Sequence, residues 1–136
     1  MKRSVDKKKE IEKYLEELES VLPNSLDNYI KDFKIRAVCE RYFEKIVEAA
    51  VDLAFIVIKE KDMEMPDEDK KSFAILFEAG IISEEISEKM QDAKGMRNII
   101  AHEYGEINDE LVFYAVTEEL IDDVRKFLEE LNERGF

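Results

Sequence analysis

AAVDLAFIVI, residues 49–58, is the most apolar stretch of the chain and lies inside a longer pattern of apolar residues at three- and four-residue steps. This spacing predicts one long helix, and its apolar positions are Tyr29, Phe33, Ala37, Val38, Tyr42, Ile46, Ala49, Ala50, Leu53, Ile56 and Val57. The middle of that helix is apolar around much of its circumference, so it must pack on more than one side. We therefore predict a central helix surrounded by others. Asp52 and the charged residues from Lys59 onward leave the stretch too short to cross a bilayer.

The rest of the chain has the periodicity of further helices, with few glycines and prolines between them. An amphipathic helix is expected over about residues 5–21, and a short one over 68–79. Ser83 is predicted to be the N-cap of a helix that runs toward Gly105. Asn108 is predicted to be the N-cap of the last helix. We predict an all-α fold: a four-helix up-and-down bundle with one short extra helix, as a single domain over residues 1–136.

Two residue types that build metal centres and disulfides each occur once, as Cys39 and His102. A lone cysteine cannot form an internal disulfide, and one Cys with one His is a poor start for a zinc site. We expect Cys39 to be a small packing residue. The chain is expected to need no metal or cofactor, and to be cytoplasmic, because no apolar region follows its basic N-terminus.

The formal net charge is −13, which repels nucleic acid at long range and predicts poor general affinity for RNA or DNA. This charge is the main objection to any function that involves a nucleic acid. A nucleic acid would have to be bound through a local positive region.

One segment differs from the surrounding Lys- and Glu-rich helices. It holds the only histidine, His102, together with Arg97, Asn98 and Tyr104. Asn98 and His102 are four residues apart and share a helix face, whereas Arg97 and Tyr104 lie along an adjacent one. A histidine in the last turn of this helix could both accept and donate a proton.

Each of these residues also has a structural explanation when it is taken alone. A single histidine is more often structural or on the surface than catalytic. Arg97 could form an ordinary surface pair with Glu103 or Asp92, which would stabilise little. Tyr104 could simply pack where the helix ends. The combination of the four residues favours a functional site.

The sequence Arg97-Asn98-Ile99-Ile100-Ala101-His102 resembles the motif of HEPN domains: Arg, a polar residue, three others, then His. Its extension to Tyr104 resembles the HepT toxin branch in particular. The beginning of the long helix near residues 34–37 and the element at 77–82 also look like that branch. The resemblance thus spans nearly the whole chain and implies a HEPN-like bundle.

The resemblance implies a homodimer that cleaves RNA without metal and leaves a cyclic phosphate. His102 would handle protons at the 2′-hydroxyl or at the leaving 5′-oxygen. Arg97 would stabilise charge in the transition state, and Asn98 would orient the phosphate or the imidazole. RNA would lie in a cleft between the two copies; neither DNA nor a membrane is expected as a partner. The count of charges along the sequence adds candidates for the cleft, because residues 31–45 of the central helix carry five cations against three acids. The cations that we expect at the cleft are Lys34, Arg36, Arg41 and, near the motif, Lys94.

In the HepT branch the partner is a nucleotidyltransferase antitoxin that attaches adenylate groups to the motif tyrosine. Tyr104 matches that tyrosine, so the resemblance implies that its adenylylation neutralises the toxin. Added charge and bulk beside His102 would block an RNA phosphate.

Two other functions remain open from the sequence. The chain could be a non-catalytic helical dimer that binds nucleotide or acts with a nucleotidyltransferase as an interaction module. It could also be an unrelated four-helix interaction domain, which would leave the motif unexplained.

Overall fold

A computed structural model describes residues 2–102 and 107–136 of the chain. The helices in these ranges are α1 (Lys2–Val21), α2 (Leu26–Lys31), α3 (Phe33–Glu60), α4 (Lys71–Glu78), α5 (Glu84–His102), α6 (Asp109–Tyr114) and α7 (Leu120–Glu133), with a π-helical turn (Ala115–Glu119) joining the last two. The predicted all-α bundle is confirmed.

Helix α3 is the centre of the bundle. It packs against α1, α2, α4 and α5, and its side chains at Ile46, Leu53 and Val57 are completely buried. Burying an aliphatic side chain of this size stabilises the fold by about 1.5–3 kcal/mol. The expectation of a central helix that packs on several sides is confirmed.

The long helix does not extend back to Tyr29 as predicted, because the helical conformation is interrupted at Asp32. Asp32 adopts an extended conformation, with φ −111° and ψ 99°. Its carboxylate accepts hydrogen bonds from the backbone N–H groups of Lys34 (2.9 Å) and Ile35 (3.3 Å). This N-cap begins a new helix and separates α2 from α3. The structure therefore has the short helix α2 in addition to the predicted short helix, α4.

Local signals define both ends of the loop before α5. Gly80 has φ 74°, a left-handed conformation that ends α4 and favours glycine. The Ser83 hydroxyl accepts from the N–H of Ile86 at 3.1 Å, which confirms the predicted start of α5. The short helix α4 is shorter than the predicted range of 68–79, because residues 68–70 form a turn that precedes it. The predicted end of α5 near Gly105 lies outside the described residues.

The last helix begins where predicted but is not continuous. The Asn108 side chain accepts from the N–H of Leu111 at 3.2 Å and so caps α6. The π-helical turn then interrupts the α-helical hydrogen bonding, and in it the Thr117 hydroxyl donates to the carbonyl of Phe113 at 2.8 Å. Such side-chain bonds to the preceding turn are known to distort helices. Beyond the turn, α7 buries Phe127 and Leu131 in the core.

Cys39 is fully buried, as expected for a packing residue, and burial raises its pKa to about 11. In residues 2–102 and 107–136, no helix is both long and apolar enough to span a membrane.

Tyr29 carries an unusual buried hydroxyl. The residue is completely buried, and its ring lies 5.6 Å from that of Phe113. Its hydroxyl has no hydrogen-bond partner within the described part of the chain. Burial raises the pKa of this group. A buried polar atom without a partner destabilises the folded state.

Tyr29→Phe is therefore expected to stabilise the protein by about 1 kcal/mol, because the ring packing is kept and the unpaired hydroxyl is removed. Urea unfolding followed by circular dichroism measures this change. Tyr42→Phe is the control: its hydroxyl donates to Glu17 at 3.1 Å, so its removal should not stabilise. A loss of stability in Tyr29→Phe would mean that the hydroxyl has a partner and that this explanation is wrong.

Candidate functional site

The three described motif residues lie on the C-terminal part of α5, which packs against α3, α4 and α7. Arg97 and His102 are five residues apart, so their side chains are separated by about 140° around the helix axis. Asn98 and His102 are separated by only about 40°. Arg97 therefore points to a different side of the helix from His102.

Arg97 is held against the central helix by an acid that the sequence analysis did not select. Its Nε lies 2.7 Å from Oε1 of Glu48, which belongs to α3. The Arg97 side chain is 22% exposed and the Glu48 side chain 41%. The Nε–H bond is not directed at a hydrogen-bond acceptor in the described residues, despite the short distance. We therefore treat the contact as an ion pair whose hydrogen bond is not aligned.

Lys94 extends this contact into a chain of four charges. Its side chain is only 7% exposed, and its Nζ lies 3.3 Å from Oε1 of Glu48 and 3.3 Å from Oδ2 of Asp69. The order is then Asp69, Lys94, Glu48 and Arg97, with alternating signs. Lys94 was expected to line an RNA cleft. Its burial between two carboxylates does not fit that role, and it ties α5 to α3 and to the turn before α4.

Asn98 lies beside the guanidinium rather than the imidazole. Its Oδ1 accepts from Nη1 of Arg97 at 3.4 Å, a long and weak hydrogen bond. The amide is partly buried. The helix nevertheless places Asn98 on the same side as His102, between Arg97 and His102 around the helix axis.

His102 is exposed and is the last described residue of α5. No hydrogen bond or ion pair to its ring occurs among residues 2–102 and 107–136. None of these residues therefore holds the imidazole in place. Tyr104, the predicted modification site, and its neighbour Glu103 lie outside the described residues.

The cations predicted for the RNA cleft divide into two kinds. Lys34 and Arg41 are exposed on α3, and Arg41 makes only a loose pair with Glu44 at 3.6 Å. Arg36 instead joins helices: its guanidinium donates to the carbonyl of Ile30 and lies 3.9 Å from the Asp109 carboxylate. Lys34 and Arg41 therefore stay available to a polyanion, whereas Arg36 is occupied.

A small cavity lies beside α5 but away from the described motif residues. It has a volume of about 90 Å³ and lies between α3, α5 and the π-helical turn. It is lined by Phe43, Lys89, Asp92, Ala93, Met96, Ala115, Glu119, Leu120 and Asp123, and by none of the motif residues. It does not give one copy of the chain a closed pocket around Arg97 and His102.

Among the described residues, no group of three or more His, Cys, Asp or Glu side chains could hold a metal ion. Glu48 and Asp69, which lie beside Arg97 and Lys94, are already paired with these cations. The chemistry available at this surface is that of a guanidinium, an amide and an imidazole.

Comparison with known proteins identifies the family. Residues 11–131 match the family described as Ribonuclease HepT-like. The chain belongs to that family. The predicted HEPN and HepT resemblance, and with it the prediction of an RNA-cleaving enzyme, is confirmed.

Individual members of the Ribonuclease HepT-like family are distant in sequence but close in fold. A tRNA nuclease HepT from Aphanizomenon flos-aquae is 27% identical over 107 residues, which are 79% of this chain and 73% of the relative. An mRNA nuclease HepT from Shewanella oneidensis is 25% identical over 99 residues, 73% of this chain and 74% of the relative. A solved structure, that of a tri-AMPylated Shewanella oneidensis HEPN toxin in complex with MNT antitoxin, has a TM-score of 0.88 at 21% identity and covers 96% of each chain.

Proposed function

We propose that the chain is a metal-independent endoribonuclease toxin that cleaves RNA with Arg97 and His102 in a cleft shared by two copies. The observation that carries the proposal is the geometry of α5 in a Ribonuclease HepT-like chain. Arg97 is anchored on α3 through its Nε, while His102 is exposed on another side of the same helix.

The chemistry that suits these groups is transesterification within the RNA. The 2′-oxygen of one nucleotide forms a bond to the adjacent phosphorus, and the bond from phosphorus to the 5′-oxygen breaks. The products are a 2′,3′-cyclic phosphate and a 5′-hydroxyl. An imidazole takes the proton from the 2′-hydroxyl or gives one to the leaving oxygen, while Arg97 stabilises the charge on the phosphorane-like transition state. Asn98, between the two, would orient the phosphate.

A homodimer supplies what one copy lacks. The reaction needs one proton removed and one delivered, and the chain has a single histidine, His102. Several large apolar side chains are exposed on the connected surfaces of α2, the start of α3 and α6, and within the motif: Ile30, Phe33, Leu111, Tyr114 and Ile99. Exposed apolar groups of this size are typical of interaction surfaces. We propose that they contribute to the face that joins the two copies.

The acidic exterior limits which RNA can bind. With a net charge of −13, the surface as a whole repels a polyanion. Lys34 and Arg41 are exposed on α3 and would provide local attraction. We expect weak, salt-sensitive binding of RNAs whose shape fits the cleft.

The proposed partner is a cognate nucleotidyltransferase antitoxin that adenylylates Tyr104. The support is the family membership, the position of Tyr104 two residues after His102, and a fold shared with a tri-AMPylated HEPN toxin bound to its MNT antitoxin. Adenylate groups would add negative charge and bulk close to the imidazole, and would keep an RNA phosphate away.

The purified protein is expected to cleave RNA in the presence of EDTA. The cleavage rate is expected to fall at least about 100-fold in His102→Ala and in Arg97→Ala, because each substitution removes a transition-state contact. Sequencing gels and end-group analysis measure the rate and the cyclic phosphate. Arg125→Ala is the matched control: Arg125 also pairs with a glutamate on another helix, Glu19, but lies outside the motif.

Equal activity in wild type and both motif variants would mean a contaminating nuclease and would refute the residue assignments. No cleavage by the wild type, combined with binding to a nucleotidyltransferase, would favour the non-catalytic interaction module instead.

Co-expression with a cognate nucleotidyltransferase is expected to add whole adenylate groups to the protein, to abolish RNA cleavage and to leave Tyr104→Phe unmodified. Intact-mass spectrometry followed by peptide mapping measures these additions. Adenylates on a different residue, or full activity of the modified protein, would contradict the proposed control by Tyr104.

A further inference from the structure

Glu48 is a partly exposed acid on the central helix α3. Its neighbours on α3, Val47 and Ala49, are buried in the core, and it lies just before the most apolar part of the helix. Its side chain extends to α5, where one oxygen, Oε1, meets both Arg97 (2.7 Å) and Lys94 (3.3 Å).

The contact uses only one side of the guanidinium. Glu48 approaches Nε of Arg97, and Asn98 receives a weak hydrogen bond from Nη1. No described residue makes a hydrogen bond or ion pair with Nη2. A guanidinium binds a phosphate best through two parallel N–H groups. The Nη end of Arg97 therefore stays available for that pairing while the Nε side is anchored.

The order of charges also favours an incoming anion. In the series Asp69, Lys94, Glu48 and Arg97 each charge lies next to one of opposite sign, and Arg97 is the last member among residues 2–102 and 107–136. Lys94 is shared between two carboxylates and so partly balances Glu48, which leaves Arg97 incompletely neutralised. A phosphate at its open end would be the next anion in the series.

We propose that Glu48 is a positioning residue for RNA cleavage: it holds the Nε side of Arg97, with Lys94 as its counter-charge, so that the Nη end meets the scissile phosphate. This rests on the proposed ribonuclease function. Glu48 does not touch the substrate and acts only through Arg97.

A purely structural tie between α3 and α5 makes different predictions. In that case the loss of the Glu48 charge would lower stability, and any effect on cleavage would be independent of Arg97. In the positioning role the fold persists while the guanidinium loses its anchor. Misplacement of a transition-state contact lowers kcat more than it raises KM.

The test is steady-state RNA cleavage by the full chain with Glu48→Gln, which keeps the shape of the side chain and removes its charge. We expect kcat to fall about 10-fold or more and KM to change less than about 3-fold. Glu19→Gln is the matched control, because Glu19 also pairs with an arginine on another helix, Arg125, and is 42% exposed against 41% for Glu48. Its kinetics should match wild type, and thermal unfolding of the two variants should be similar.

A double-mutant cycle with Arg97→Lys, measured with enzyme in excess, separates the two roles. If Glu48 acts through Arg97, Glu48→Gln should change the cleavage rate less than about 3-fold in the Arg97→Lys background. The nitrogen-15 NMR signal of Arg97 Nε should also shift in Glu48→Gln, while the backbone amide spectrum stays that of the folded protein.

Wild-type kcat in Glu48→Gln, or an equal loss in both backgrounds, would overturn the inference and leave the ribonuclease function intact. Wild-type activity in Arg97→Lys and Arg97→Ala would instead overturn the proposed function. If Glu48→Gln does not fold, Glu48→Asp provides the test: it keeps the charge but withdraws it by one methylene, and is expected to lower kcat without lowering the melting temperature.

Discussion

The contact between Glu48 on α3 and the cations Lys94 and Arg97 on α5 connects the core of the bundle with the arginine of the proposed catalytic motif. Helix α3 is fixed by the apolar side chains around it, and Glu48 is carried into place by that burial. Through Oε1 it then determines the direction of Arg97 and, with Asp69, the environment of Lys94. The position of the motif arginine thus depends on the packing of the most apolar helix in the chain.

Much of the architecture could be predicted because its signals are local. The caps at Ser83 and Asn108 and the left-handed Gly80 follow from side chains that bond or bend their own backbone. The break at Asp32 was missed, because apolar periodicity continues across it and outweighed a single capping aspartate. The π-helical turn at 115–119 has no comparable sequence signal.

In the candidate site, too, the residues with a local sequence signal could be predicted and those without one could not. The motif residues were selected from the sequence, since unusual residue types at helical spacing are visible there. Glu48 and Asp69 were not, because their roles come from contacts between helices that are distant along the chain. The one available signal was an acid inside an apolar pattern, as at Glu48. Lys94 was expected to face RNA, but charge counting along the sequence cannot show that a lysine is buried.

One copy of the chain presents Arg97 and His102 on different sides of α5 and has a single histidine. A second copy would supply another imidazole and enclose the RNA. The central claim, a catalytic centre completed by two chains, is tested most directly by measuring the cleavage rate per chain against protein concentration, with sedimentation velocity on the same samples. The account predicts that activity per chain rises with the fraction of dimer and collapses in Phe33→Lys, which places a charge on the proposed joining face. A protein that is monomeric at micromolar concentration and fully active would contradict it.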